Sequence, residues 1–235
     1  MRINKFISET GMCSRREADK LIAAGRVAVN ETIAELGTKV SGGDTVYVDG
    51  KPLAPKKKLI YIALNKPPGI TSTTELHIEG NIIDYVNHPE RIFPIGRLDK
   101  DSEGLILLTN DGDIVNRILR AENRHEKEYI VTVDYPVTPD FIRTMADGVV
   151  IPDGQTLPCE VNQISERVFR IILTEGRNRQ IRRMCAALDY QVRQLRRIRI
   201  MNIKIDGLAR GAWRDLTSEE LEELFSLLTY EPNHV

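Results

Sequence analysis

The chain has 235 residues, 41% of them hydrophobic and 29% charged, with a formal net charge of -1. That length suits a small module beside a larger one, and the apolar share buries a core without staples; no apolar run approaches a membrane span, and the composition is not that of a disordered chain. Cys13, Cys159 and Cys185 and the histidines His77, His88, His125 and His234 match no disulfide framework or zinc spacing, and no glycine-rich phosphate loop is present, so chemistry without metal or cofactor is expected.

Residues 1–6 lack the apolar segment of a secretory signal, and a cytoplasmic location is expected. Ile3, Phe6 and Ile7 fall at helical spacing and Gly11 closes that turn. Ser14 with Glu17 predicts a capping box, opening a second helix with Ala18, Leu21 and Ile22 inward and Gly25 as its left-handed cap. Val27 and Val29 alternate as in a strand, with residues 45–48 as its partner. Turning these stripes inward gathers Lys5, Arg15, Arg16 and Lys20 on an outer face, as suits either phosphate contacts or a plain solvated surface. Residues 51–58 have the proline and lysine content of a linker, which sets the expected domains at 1–58 and 59–235.

Residues 59–64 alternate partly like a strand and run into the turn Asn65-Lys66-Pro67-Pro68-Gly69. Next, Gly96-Arg97-Leu98-Asp99 sets a carboxylate just after an arginine, in a Gly-bounded turn ahead of the apolar run 105–108. Residues 105–109 predict a buried strand, Asn110 a cap for a helix reaching about Leu119, and residues 128–133 another strand. Thr138-Pro139 starts a helix, and Phe169, Ile171 and Leu173 alternate in a strand. Ile181, Met184, Cys185 and Leu188 make an amphipathic helix, residues 195–205 read as strand-rich, and Thr217 with Glu220 boxes a last helix. Strands and helices do not alternate strictly. The expected class is therefore α+β, a mixed, largely antiparallel sheet flanked by helices, after a small module of two helices plus strands.

The net charge hides an asymmetry. Residues 1–58 carry 11 Lys or Arg against 7 Asp or Glu, and residues 175–214 carry 11 against 3, so these segments are +4 and +8 while the remainder is -13. A polyanion responds to a patch within a Debye length of about 8–10 Å, so a near-neutral total is compatible with nucleic-acid binding.

The chemistry centres on Asp99. A carboxylate on a sharp loop beside a buried strand, near a fixed cation, is available as nucleophile or base. A surface turn would look the same, but residues 93–109 resemble the catalytic-aspartate motif of bacterial pseudouridine synthases, in the RsuA/RluF branch that modifies ribosomal RNA. Residues 1–50 resemble the RNA-binding module first associated with ribosomal protein S-four, through Arg2-Ile3-Asn4-Lys5-Phe6-Ile7, the segment Cys13 to Asp19, and Gly25-Arg26-Val27. Asn65 to Gly69 is similar to the family's first motif. Tyr129, in Lys127-Glu128-Tyr129, matches the tyrosine that stacks on the extruded base, and Gly176 to Met184 matches the segment whose basic residue pairs with the aspartate. Motif alignment assigns that pairing to Arg182, with Arg177, Arg179 and Arg183 as alternatives or phosphate contacts. The resemblance further implies that Arg97 enters the space the base leaves and that Arg2, Lys5, Arg15, Arg16 and Lys20 bind RNA; residues 211–217 resemble the branch's last motif, and Trp213 within it reads as packing because a single Trp is usually buried mass.

The implied activity is isomerisation of a specific uridine in large-subunit ribosomal RNA by a monomer without cofactor, a tRNA uridine being a second candidate. A non-catalytic RNA-binding protein is the competing expectation. A glycosidase would need a second positioned carboxylate and a phosphotransferase a metal site, and the sequence offers neither.

Overall fold

The computed structural model describes residues 1–54, 58–120 and 124–232. Helix α1 (Ile3–Glu9) buries Ile3 and Ile7, and α2 (Arg15–Ala23) buries Ala18 and Ile22. At the start of α2 the Ser14 hydroxyl accepts from the Glu17 amide (3.2 Å) while the Glu17 carboxylate accepts from the Ser14 amide (2.8 Å), closing the capping box. At its end Gly25 takes φ +68°, donating to the Ile22 carbonyl while Arg26 donates to that of Leu21, the two bonds of a Schellman turn.

Strands β1 (Val27–Val29), β2 (Thr32–Ile33), β3 (Val46–Val48) and β4 (Lys51–Pro52) form an antiparallel sheet in the order β2-β1-β3-β4. Val27 pairs with Val48 as expected, and with Val46 these valines join the two helices in a core of their own. The expected linker begins later than its composition suggests. Lys51 and Pro52 pair with Val48 and Tyr47, a proline being tolerated because this strand lies at the sheet edge; residues 55–57 are outside the described residues.

The rest of the chain builds one large sheet. In order come β5 (Tyr61–Lys66), α3 (Ile82–Val86), β6 (Phe93–Pro94), β7 (Glu103–Thr109), α4 (Gly112–Leu119), β8 (Lys127–Val133) and α5 (Pro139–Asp147). The short hairpin β9 (Val150–Ile151) and β10 (Gly154–Gln155) follows, then β11 (Glu160–Ser165), β12 (Val168–Leu173) and α6 (Gln180–Ala187). Last are β13 (Val192–Ile200), β14 (Ile203–Lys204), β15 (Trp213–Asp215) and α7 (Ser218–Leu227). The sheet runs β11-β12-β8-β13-β7-β5-β15, with β14 beside β13 and β6 beside β7. Its pairings are antiparallel except β13 with β7, as the lack of strict alternation predicts.

A core lies on each face. Ile62, Leu64, Ile106 and Leu108 pack with α3, α5 and α6, whereas Tyr61, Ala63, Leu105 and Leu107 pack with α4 and α7. The central strands β5 and β7 are thus buried along their whole length, which gives continuous apolar runs. Two local expectations change. Asp111, not Asn110, caps α4, its carboxylate accepting from the Asp113 amide (3.1 Å) and from the hydroxyls of Tyr61 (2.7 Å) and Tyr230 (2.6 Å). Asn110 instead ties the strand ahead, accepting from the Ile60 amide at 2.9 Å. Trp213 is not interior packing: it is 39% exposed on the edge strand β15, edge-on to His88 at 5.7 Å. Among the described residues no helix is long and apolar enough to cross a membrane.

Candidate active site

The Asp99 loop, between β6 and β7, is clamped from below by residues 66–72. The Ser72 hydroxyl donates to the Leu98 carbonyl (2.7 Å) and accepts from its amide (3.2 Å), and the Gly69 amide donates to the Lys100 carbonyl (2.7 Å). Lys66, fully buried, donates to the carbonyls of Ile70 (2.9 Å) and Pro67 (3.0 Å), and the Lys100 carbonyl is at 3.5 Å. Burial pulls the Lys66 ammonium down to about 8, against the raising pull of Asp101 and Asp99. The turn from Asn65 to Gly69 is therefore the platform of the loop. Beyond the loop, Gly104 takes φ +106° where β7 meets β13, and a Cβ there would lie 2.2 Å from the Arg197 carbonyl oxygen. No other residue permits that approach, which places Arg197 beside the aspartate loop.

Asp99, its side chain 31% exposed, meets Arg179 with Oδ2 at 3.3 Å from Nη1. Arg179 simultaneously donates to both oxygens of Asp101, at 3.3 and 3.4 Å. Its backbone sits in the left-handed region, φ 48°, at the residue preceding α6, a conformation that costs a non-glycine residue on the order of 1 kcal/mol. The expected partner, Arg182, lies one turn into α6 and does not make the Asp99 salt bridge. Its Nη2 reaches Asp101 (3.3 Å) and the Ser102 hydroxyl (3.1 Å), and Nη1 donates to the Val192 carbonyl (3.4 Å). The left-handed turn at Arg179 explains the difference: it turns that side chain to Asp99 ahead of the helix, while Arg182, within α6, meets the Asp101–Ser102 side of the loop. Burial opposes ionisation of Asp101, yet hydrogen bonding from Arg179 and the charge of Arg182 hold its carboxyl below the usual range.

Asp99, Tyr129, Arg97, Arg179 and Arg197 line a cavity of about 700 Å³ and, beside it, a smaller one of about 100 Å³ that Arg182 also borders. The larger volume suits one nucleotide. Tyr129 is 9% exposed and comes from the middle of β8, so its place in the wall is fixed by the sheet. Arg97 is exposed at the loop.

The other expected phosphate ligands divide. Arg2, Arg15, Arg16 and Lys20 are exposed. Lys5 leaves the outer face, its ammonium lying 2.6 Å from Asp113 on α4 and 3.5 Å from Glu9, so it joins the two parts of the chain instead. Arg183 is paired with Asp153. Arg177 is occupied by Glu175 (3.0 Å) and the carbonyls of Gly154 (3.1 Å) and Gln155 (2.6 Å), bracing the loop before α6. Sequence reasoning missed Lys66, Ser72 and Arg197. A polar residue closing a buried run was the available signal for Lys66, which ends an all-buried strand; Arg197 is one of four arginines in β13, whose alternation of exposed and buried positions does not single it out.

A small two-helix module beside a sheet that holds one loop carboxylate, a guanidinium and a tyrosine around a nucleotide-sized cavity is the build of an RNA-modifying enzyme. Comparison with known proteins makes this specific: residues 60–187 match the RNA pseudouridylate synthase family and residues 1–46 the S4 domain, and the chain belongs to that synthase family. It is 54% identical to the dual-specificity RNA pseudouridine synthase RluF of Escherichia coli (strain K12), over 100% of this chain and 82% of that protein. It is 34% identical to the ribosomal large subunit pseudouridine synthase B of Bacillus subtilis (strain 168), over 99% and 98%. A crystal structure of a pseudouridylate synthase superposes with a TM-score of 0.70 at 31% identity, covering 95% of this chain and 99% of that one.

Proposed function

We propose that this pseudouridine synthase isomerises a specific uridine of large-subunit ribosomal RNA, with a tRNA uridine as a second substrate, and that it works as a cytoplasmic monomer. Residues 1–58 serve as the RNA-binding module and linker, residues 59–235 as the catalytic domain. The observation that carries the mechanism is the placement of Asp99 at the cavity, beside Arg179 and across from the strand that bears Tyr129.

In this reaction the N1–C1′ bond breaks, the uracil turns, and C5 bonds to the same C1′. The C5 proton leaves and N1 gains one, so the product is an isomer. Asp99 starts the exchange by attacking C1′ or by taking the neighbouring sugar proton, and either route uses the same carboxylate. Arg179 aims that carboxylate, with Arg182 holding the adjoining Asp101 and Ser102. Leaving the RNA stack costs the uridine a few kcal/mol, and stacking on Tyr129, worth about 1–3 kcal/mol, offsets part of that. Arg97 fills the vacated space. Arg2, Arg15, Arg16 and Lys20 add affinity through phosphates. The names of the two relatives, dual-specificity and ribosomal large subunit, support the choice of substrates.

The test is to incubate unmodified ribosomal RNA and tRNA with the protein and map pseudouridines. A new pseudouridine at one position of large-subunit RNA supports the reading. Modification confined to tRNA or small-subunit RNA would overturn it.

A further inference from the structure

Strands β8 and β13 present two faces with opposite electrostatic accounts. On the face away from the cavity, Glu128 is paired with Arg170 and lies 2.6 Å from Arg199, which also reaches Glu126 (2.8 Å), while Arg170 reaches Glu160 (2.5 Å). Every arginine in that cluster has a carboxylate. On the cavity face, Lys127 lies two residues before Tyr129 and Arg197 directly opposite Tyr129 in the antiparallel register, so all three share one side of the sheet.

These two cations lack such partners. Among the described residues no carboxylate lies within salt-bridge distance of either. The Lys127 ammonium has only the His125 carbonyl at 3.5 Å. Arg197 is 4% exposed; its Nε donates to the Leu105 carbonyl (2.7 Å), and its buried Nη2 has no hydrogen-bond partner. Burial, and then the charge of Arg197, pull the Lys127 ammonium below its usual range. An unsatisfied buried donor and two adjacent like charges are both costly arrangements, and both costs vanish when an anion enters. A neutral uracil carbonyl would satisfy the donor and leave the repulsion. In an RNA, the anion next to every base is the phosphodiester.

We propose that Lys127 and Arg197 form a phosphate-binding pair in the wall of the cavity, gripping a backbone phosphodiester next to the flipped uridine. The pair sets how deep the nucleoside enters, Arg197 lying on β13 between Tyr129 on β8 and the strand that follows the aspartate loop. The proposal rests on the uridine-isomerising reading above, but its test is read on binding.

A hairpin of large-subunit ribosomal RNA that the protein binds is prepared with an uncharged methylphosphonate at each loop linkage in turn, and affinities are measured for the unaltered protein, Lys127→Met and Arg197→Lys. One linkage is expected to weaken binding by the unaltered protein about tenfold, the size of one charge-assisted hydrogen bond removed. Lys127→Met should weaken the ordinary hairpin to a similar degree and then be insensitive to that linkage, while Arg197→Lys, which keeps the charge, stays sensitive. Thermal melting establishes that the variants are folded. Full multiplication of the two effects at every linkage would overturn the pair. Failure of the uridine-isomerising reading would look different, as absent pseudouridine in the ordinary hairpin whatever the affinities.

Discussion

At the residue scale, the cations of the site serve its carboxylates differently. Arg179 bridges Asp99 and Asp101, while Arg182 holds Asp101 and Ser102. Replacing Arg179 with alanine removes the only ion pair that Asp99 makes among the described residues, and is expected to lower single-turnover pseudouridine formation by roughly 10²-fold, about 2.7 kcal/mol, with RNA affinity changed less. Arg182→Ala leaves that ion pair in place but strips the buried side of the loop, so thermal stability should fall along with rate. Equal losses of rate with no difference in melting between the two variants would reject this division. Which arginine meets Asp99 was not legible in the sequence. Four arginines in seven positions carry the same chemistry, and the choice depends on the left-handed turn at Arg179, which no periodicity reveals.

At the element scale, most of the architecture was written in caps and periods. Ser14 with Glu17 and Thr217 with Glu220 form both capping boxes, and the spacing of Ile181, Met184 and Cys185 gives α6. Short pieces escaped because a two-residue strand such as β4 or β6 has no period to detect. The parallel contact of β7 with β13 was equally hidden, since its marker is one glycine within a motif rich in glycine and charge. Gly104→Ala should destabilise the fold by about 3 kcal/mol or more, combining a left-handed φ with a Cβ that the Arg197 backbone occupies. Chemical denaturation measures this; a loss under about 1 kcal/mol would mean that the two strands part easily and that Gly104 does not hold Arg197 in place.

At the scale of the whole molecule, charge and topology divide the work. The first module was legible as a basic unit, but the sequence could not show that Lys5 is spent on Asp113 across the junction, because a partner 108 residues away leaves no local trace. Of the basic residues expected to bind RNA in this module, Arg2, Arg15, Arg16 and Lys20 stay exposed. Changing Arg15, Arg16 and Lys20 together to glutamine should flatten the dependence of log affinity on log salt by up to about 0.7–0.9 for each phosphate no longer neutralised, and leave turnover of saturated RNA intact. An unchanged slope would remove that helix from the RNA interface. Lys5→Met, by contrast, is expected to alter how firmly the module is held against α4 more than the salt slope.

In the proposed mechanism the carboxylate of Asp99, not that of its neighbour Asp101, starts the exchange of the glycosidic bond. Single-turnover pseudouridine formation with Asp99→Asn and Asp101→Asn, each beside its RNA affinity, decides it. Asp99→Asn is expected to bind RNA nearly as tightly as the unaltered protein and to form no detectable product, while Asp101→Asn is slowed but active. Substantial product from Asp99→Asn, or complete loss in Asp101→Asn alone, would contradict it.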